Sequence, residues 1–313
     1  MAIVRGTGRR PRRPSAPGAY AARVDRRIER ARELIAELAG DAAAGSELDP
    51  SVRLAELGFD SLAFAELALA LERELGVDLG VAEIDGSSTV GRLLALVGEV
   101  GRQDAGPGVP PSVGRLQGLA EALGGWALRW WLDLRVEGAG RVPGRGPAIL
   151  AMNHESALDI PVAVLACPRR ITFMAKRELF TGPFVSWSLE RLGGFRVARE
   201  RYDAAAVRLA LDVLARGEVL GMFPEGTRSP DALLPFLPGS AWLALRTGAP
   251  LVPVAIRGTE RAREASRPRR VRVRVRFGEP IAVERVEDAG ERRRRATALT
   301  EELRAAVERL LLA

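Results

Sequence analysis

Histidine and cysteine are almost missing from this chain of 313 residues, which has one of each, His154 and Cys167. A single cysteine excludes an intramolecular disulfide and fits a reducing compartment. It also leaves no Cys/His cluster from which to build a zinc site. Without a second histidine to activate it, Cys167 reads as a small core residue and not a nucleophile. No run of about 18 apolar residues occurs, so no conventional membrane span is expected. The first stretch, MAIVRGTGRRPRRPSAPG, is basic but lacks an apolar segment, which argues against a secretory signal. Residues 1–18 are therefore expected to form a disordered basic arm.

The composition is otherwise that of a folded chain. It is 47% hydrophobic, and its length suggests two or three domains at about 100–200 residues each. Charge is unevenly placed. Residues 41–100 hold 12 acidic residues against three basic ones, a net −9 that leaves +16 for the rest of a chain totalling +7. An acidic module joined to a basic one implies mutual attraction, and a basic surface suited to phosphates or anionic lipid. Nucleic acid is a competing reading of the high pI. The arginines are scattered, however, and no nucleic-acid motif is found. High arginine with little lysine is also what a GC-rich genome produces.

The segment 19–39, AYAARVDRRIERARELIAELA, has helical periodicity through Val24, Ile28, Leu34, Ile35 and Leu38. After a short loop comes LAELGFDSLAFAELALALERELGVDL, where Asp60 or Ser61 is a good helix start. VAEIDGSSTVGRLLALVGEV reads as a helical turn and a further helix, making a helical bundle over 19–102. QDAGPGVPPSVG, 103–114, concentrates Gly and Pro and reads as a linker.

From 115 the texture changes. A helix is expected over 115–136, with Leu116, Leu119, Leu123, Trp126, Trp130 and Leu134 on one stripe. Trp126, Trp130 and Trp131 lie near Arg129 and Arg135, a composition suited to an interfacial helix and equally to one packed on its own domain. Strands are expected at 147–152, 171–175, 194–197, 219–223, 251–256 and 271–277. Helices fall between them at 202–215 and 239–247, with a charged amphipathic helix at 288–312. Strands alternating with helices indicate an α/β domain, here 115–313. In VRVRVRF the valines fall on one face and the arginines on the other. That is a half-exposed strand or a basic contact surface.

Two motifs carry chemistry. Ser61 lies at a loop-to-helix junction between Asp60 and Leu62, where a serine is ordinarily a cap. The wider stretch, with the preceding helix, Glu66, Glu72 and Glu74 on the next, and TVGRLLALV at the end, resembles the acyl carrier protein family over about 20–102. The resemblance implies that Ser61 is esterified by 4′-phosphopantetheine, added by a phosphopantetheinyl transferase, and that the arm's thiol carries an acyl group. The alternative is a degenerate carrier used only for docking.

The second motif is NHESALD, 153–159. His154 follows an apolar strand candidate, at a strand end where α/β sites usually form. Residues five apart do not share a helix face. His154 and Asp159 can meet only if the histidine lies outside the helix and the aspartate in its first turns, an arrangement typical of a base oriented by a carboxylate. In FPEGTRS, Gly226 permits close backbone approach, Arg228 and Thr227 offer donors to phosphate, and Glu225 is expected to orient Arg228 or a substrate hydroxyl.

Together NHESALD, MAKRELF, GGFRVARE, FPEGTRS and LVPVAIRG resemble, in order and spacing, the glycerolipid acyltransferase family typified by bacterial lysophosphatidate acyltransferases, over about 118–280. The resemblance implies that His154 is the general base and Asp159 its orienter, in transfer from an acyl thioester to a lysophospholipid hydroxyl. It assigns Arg199, Glu225, Gly226, Thr227, Arg228 and Lys176 to the acceptor and its phosphate, and centres a fourth block on Pro253. There are departures: FLPGSAW lacks the lysines common in that turn, and Ala198 stands where an acidic residue often precedes the arginine.

The expected fold class is thus α + α/β, a four-helix acyl-carrier bundle followed by an α/β acyltransferase domain. The donor is the chain's own arm, a separate carrier or CoA, with no metal and no nucleic acid. The expected location is cytoplasmic, peripheral on the inner face of the cell membrane. Two alternatives remain open. One is the same chemistry on a specialised-metabolite or aminolipid acceptor. The other is a non-catalytic carrier or docking protein.

Overall fold

A computed structural model describes residues 17–40, 48–77, 88–99, 132–176, 194–197, 204–263 and 271–313. The expected arm, the 103–114 linker and the tryptophan stripe through Trp131 lie outside the described residues.

The first unit is helical. It comprises α1 (Pro17–Ala39), α2 (Ser61–Leu75) and α3 (Val90–Glu99), with a 3₁₀ turn at Leu54–Leu57. The expected helical turn at 81–87 lies outside the described residues. Helix α2 starts where it does because the Asp60 side chain accepts the amides of Leu62 and Ala63 at 2.9 and 2.8 Å. Asp60 is therefore the cap, and Ser61, the first helical residue, is released from that duty. Ile35, Leu54, Phe64, Leu67, Leu71, Leu93 and Val97 form the buried core of the unit.

The second unit is built on a seven-stranded sheet of order β1-β7-β6-β2-β5-β3-β4. Its strands are β1 (Leu132–Glu137), β2 (Ala148–Met152), β3 (Ile171–Lys176), β4 (Gly194–Val197), β5 (Val219–Met222), β6 (Leu251–Arg257) and β7 (Val271–Phe277). Every pairing is parallel except β6 with β7. Among the described residues its helices are α4 (Asp159–Ala166), α5 (Ala204–Ala215), α6 (Gly239–Thr247) and α7 (Ala289–Leu312).

Side chains of successive strand residues point to opposite faces, so each central strand feeds two cores. Ile149, Ala151, Leu220 and Leu251 pack with Leu214, Trp242, Leu245 and Leu303 from α5, α6 and α7. Leu150, Met152, Val219, Val252 and Val254 pack with Ile160, Val162 and Ala163 of α4 on the other side. Among the described residues, no helix is long and apolar enough to cross a membrane.

One expectation fails locally. The helix expected over 115–136 does not extend to its end, because Leu132–Glu137 is strand β1, in parallel register with β7. LDLRVE alternates with period 2, and the pairing sets Asp133 opposite Arg272 and Glu137 opposite Arg276. The ion pairs are 3.5 and 2.9 Å, so the arginine face of β7 is matched by carboxylates of its neighbour and is not a free basic surface. The exposed Asp133–Arg272 pair contributes about 0.2–1 kcal/mol.

Candidate active site

The ends of three adjacent strands, β6, β2 and β5, converge on one loop cluster. This is the carboxyl edge of a parallel region, where the chain leaves the sheet and backbone groups are free to be recruited. After β2, Asn153 continues the ladder with its side chain. Its Nδ2 donates to the Ile256 carbonyl at 2.8 Å, and its Oδ1 accepts the Ile256 amide at 2.7 Å. That double bond to β6 fixes the point at which His154 departs.

His154 and Asp159 meet in the one way their spacing allows. His154 lies in the loop, Asp159 opens α4, and Nδ1 is 2.8 Å from Asp159 Oδ2. The same carboxylate oxygen accepts the amides of Glu155 and Ser156 at 2.7 and 2.8 Å. Asp159 Oδ1 accepts the Thr259 hydroxyl at 2.5 Å. Asp159 is fully buried and His154 nearly so, at 8% exposure. Besides the ring, this carboxylate takes three donors, and it faces the imidazole as an acceptor. It therefore holds the imidazole with its proton on Nδ1 and leaves the Nε2 lone pair available. The ring stacks on Phe223, centroids 4.0 Å apart, and Phe223 stacks on Phe173. These contacts fix the plane of the imidazole.

Glu225 is held by the backbone. Its Oε1 accepts the His154 backbone amide at 2.8 Å, and its Oε2 accepts the Leu234 amide at 2.9 Å. It thus straps the β2 loop to the β5 loop and does not serve Arg228. Burial pushes its carboxyl above the ordinary range, opposed by the amides of Leu234 and His154. The Ser229 amide donates to the His154 carbonyl at 2.7 Å, a second strap. Gly226 has φ +72°, the left-handed region that glycine accepts at little cost, and a Cβ there would meet Leu237. The turn leaves Thr227 and Arg228 exposed just beyond it.

Glu155 is the least expected member. It is a half-buried carboxyl beside Glu260, and burial, then hydrogen bonding to Glu260, pushes its pKa up to about 9. Its Oε2 also accepts the Gly258 amide at 3.3 Å. Gly258 has φ +97°, and a Cβ there would lie 2.2 Å from the Arg272 carbonyl oxygen. Only glycine fits, and it brings Thr259 back toward Asp159.

The remaining expected residues divide. Lys176 closes β3, on the same edge as the site, although its side chain and that of Ser61 are outside the description. Arg199 lies outside the described residues. Pro253 is buried in β6, opposite Ala151. Cys167 is half-buried, and burial pushes its thiol pKa up, away from a reactive thiolate. Sequence reasoning missed Asn153, Phe223, Thr259 and the Glu155–Glu260 pair. The signal for Thr259 was its place directly after the last strand residues of LVPVAIRG.

Such a base, oriented by a buried carboxylate beside an exposed Thr-Arg turn, suits proton abstraction from a hydroxyl near an anionic group. Two families match the chain. Residues 133–257 match the Acyltransferase family and residues 29–97 the Phosphopantetheine attachment site family. The 1-acyl-sn-glycerol-3-phosphate acyltransferase of Bacillus subtilis is 30% identical over 160 residues, covering 50% of this chain and 79% of that protein. Its counterpart in Borreliella burgdorferi is 36% identical over 41% of this chain and 52% of its own length. A crystal structure of the 1-acyl-sn-glycerophosphate acyltransferase of Thermotoga maritima is 31% identical, with a TM-score of 0.46, covering 61% of this chain and 80% of that one.

The chain belongs to the 1-acyl-sn-glycerol-3-phosphate acyltransferase family. It carries in addition a phosphopantetheine attachment domain, whose cofactor is 4′-phosphopantetheine.

Proposed function

We propose that the chain transfers an acyl group from a thioester to the free hydroxyl of lysophosphatidate, in phospholipid biosynthesis. The observation that carries this reading is the 2.8 Å contact between His154 Nδ1 and Asp159 at the strand edge. His154 Nε2 takes the acceptor's hydroxyl proton as its oxygen attacks the thioester carbonyl carbon. Asp159 stabilises the imidazolium that results. The tetrahedral intermediate collapses with cleavage of the carbon–sulfur bond, and the imidazolium returns the proton to the departing thiolate. Proton transfer of this kind contributes about 10²–10⁴-fold.

Thr227 and Arg228, exposed beyond the Gly226 turn, would hold the acceptor phosphate. Lys176, at the end of β3, and Arg199 would add positive charge for the acceptor phosphate. A bidentate arginine is suited to phosphate geometry.

The attachment residue in this reading is Ser61. Two features of this chain fit the group. Asp60 fills the cap, and the amino end of α2 favours an attached phosphate. Phosphopantetheine supplies, when attached, the thiol on which an acyl group is held as a thioester. A phosphopantetheinyl transferase would be needed to install it.

The domain reading places a four-helix carrier at 19–102, a linker at 103–114 and the acyltransferase domain at 115–313. The acceptor being a lipid, the chain would work peripherally on the inner face of the cell membrane.

The test is acyl transfer to lysophosphatidate from an acyl-CoA, with thiol release and phosphatidate both measured. The wild type should make phosphatidate and His154→Ala should not, with the fold of both intact. A folded His154→Ala variant that turns over at the wild-type rate would refute the mechanism.

A further inference from the structure

Helix α2 has two apolar faces. Ala63, Phe64, Leu67, Ala68 and Leu71 enter the core of the helical unit. Leu62, Ala65 and Leu69, on the other side, join the cluster around Trp242, Ala296 and Leu303 of the sheet unit. A helix that is apolar all round is a buried helix, so a free carrier would leave one of these faces in water.

Glu66 lies in the middle of that second face and is 4% exposed. Its Oε1 accepts the Trp242 indole N–H at 2.8 Å and Arg292 Nε at 2.5 Å. Its Oε2 is 3.4 Å from Arg246 Nη1. Arg292 is itself 1% exposed and donates onward to the Val286 carbonyl. A carboxylate and a guanidinium are removed from water together only when both are fully partnered, as these are. Two flanking contacts widen the joint. Glu72 pairs with Arg208 at 3.0 Å, and Arg293 donates to the Leu38 carbonyl at 3.2 Å.

We propose that the carrier unit rests docked on the α5–α6–α7 layer, pinned by Glu66, in a state that closes this face of α2 to other proteins. The carrier is then a seated lobe that must be released to be gripped along α2, and not a module moving freely on its tether. The dock is independent of which residue carries the arm and of the acceptor, because it stands on packing and ion pairing alone.

The test is alkylation of introduced thiols in the full chain, followed by mass spectrometry of peptides. Ala65→Cys puts a thiol on the docked face, where Ala65 is 2% exposed. Arg73→Cys puts one on the same helix, where the arginine side chain is 69% exposed. The dock predicts that the Ala65→Cys thiol reacts at least about ten-fold more slowly than the Arg73→Cys thiol, since reaction requires opening of the joint. Adding Arg208→Glu and Arg246→Glu leaves the carrier surface unchanged and should bring the two rates together. Equal rates without those charge reversals would overturn the dock, and this comparison decides even if the reversed variant fails to fold. Slow alkylation that persists in a folded reversed variant would overturn the assignment of the joint to these ion pairs.

Discussion

The hydroxyl of Thr259 donates to Oδ1 of Asp159 at 2.5 Å, across 100 residues of sequence. The other oxygen of that carboxylate takes His154 and two loop amides. Each oxygen thus has a separate duty. Oδ2 orients the imidazole and the loop, while Oδ1 is anchored to the end of β6.

The aspartate should be needed for turnover and not for acceptor binding. Asp159→Asn keeps the volume but replaces the anion that stabilises the imidazolium. The expected loss is in kcat, of about 10²–10⁴-fold, with little change in KM for the acceptor. Steady-state kinetics with varied lysophosphatidate distinguishes the two. A change in KM alone would mean that Asp159 only shapes the pocket.

Thr259 should act through Asp159. Thr259→Val removes the donor and leaves a buried carboxylate oxygen unsatisfied, a cost of about 1–3 kcal/mol. Thr259→Ser restores the donor. The valine variant is expected to lose both kcat and melting temperature, and the serine variant to recover most of kcat. Equal activity of the two would show that the hydroxyl does not position Asp159.

The pairing of Glu155 with Glu260 gives a pH dependence with a definite sign. Burial first, and then hydrogen bonding to Glu260, pushes the Glu155 carboxyl from an ordinary 4.5 up to about 9 in the folded chain. Between those values the folded chain retains a proton that the unfolded chain has released. Stability therefore falls as pH rises through that window. Glu155→Gln keeps a neutral donor and should flatten the fall. Urea denaturation at several pH values from 5 to 9 measures the slope. An unchanged slope in the glutamine variant would place the dependence elsewhere.

Much of this was legible in the sequence. Six strands were marked by short apolar runs, and VRVRVRF became β7 with its valines buried. The seventh strand, β1, was hidden by the helical stripe before it. Its pairing with β7 is a contact 139 positions away in sequence, which local periodicity does not encode. His154 and Asp159 were legible through the resemblance of NHESALD and its neighbouring blocks, and their spacing limited how the two could meet. Thr259 and Asn153 were not, since their partners are set by which strands lie side by side. The amides of His154 and Leu234 that Glu225 accepts were hidden for the same reason. The second apolar face of α2, Leu62, Ala65 and Leu69, was not read from the sequence, where it is only an excess of small and aliphatic residues. What it packs against required the fold.

The central claim is acyl transfer with His154 as base, in a chain that carries its acyl group on Ser61. The most direct measurement is the intact mass of the protein, co-expressed with a phosphopantetheinyl transferase and loaded with an acyl group, before and after lysophosphatidate is added. The account predicts that the acyl mass resides on Ser61 and disappears when the acceptor is added, with phosphatidate formed. It predicts that in His154→Ala the acyl mass stays. An acyl mass lost equally from the His154→Ala chain, or a wild-type chain that keeps it in the presence of lysophosphatidate, would contradict the account.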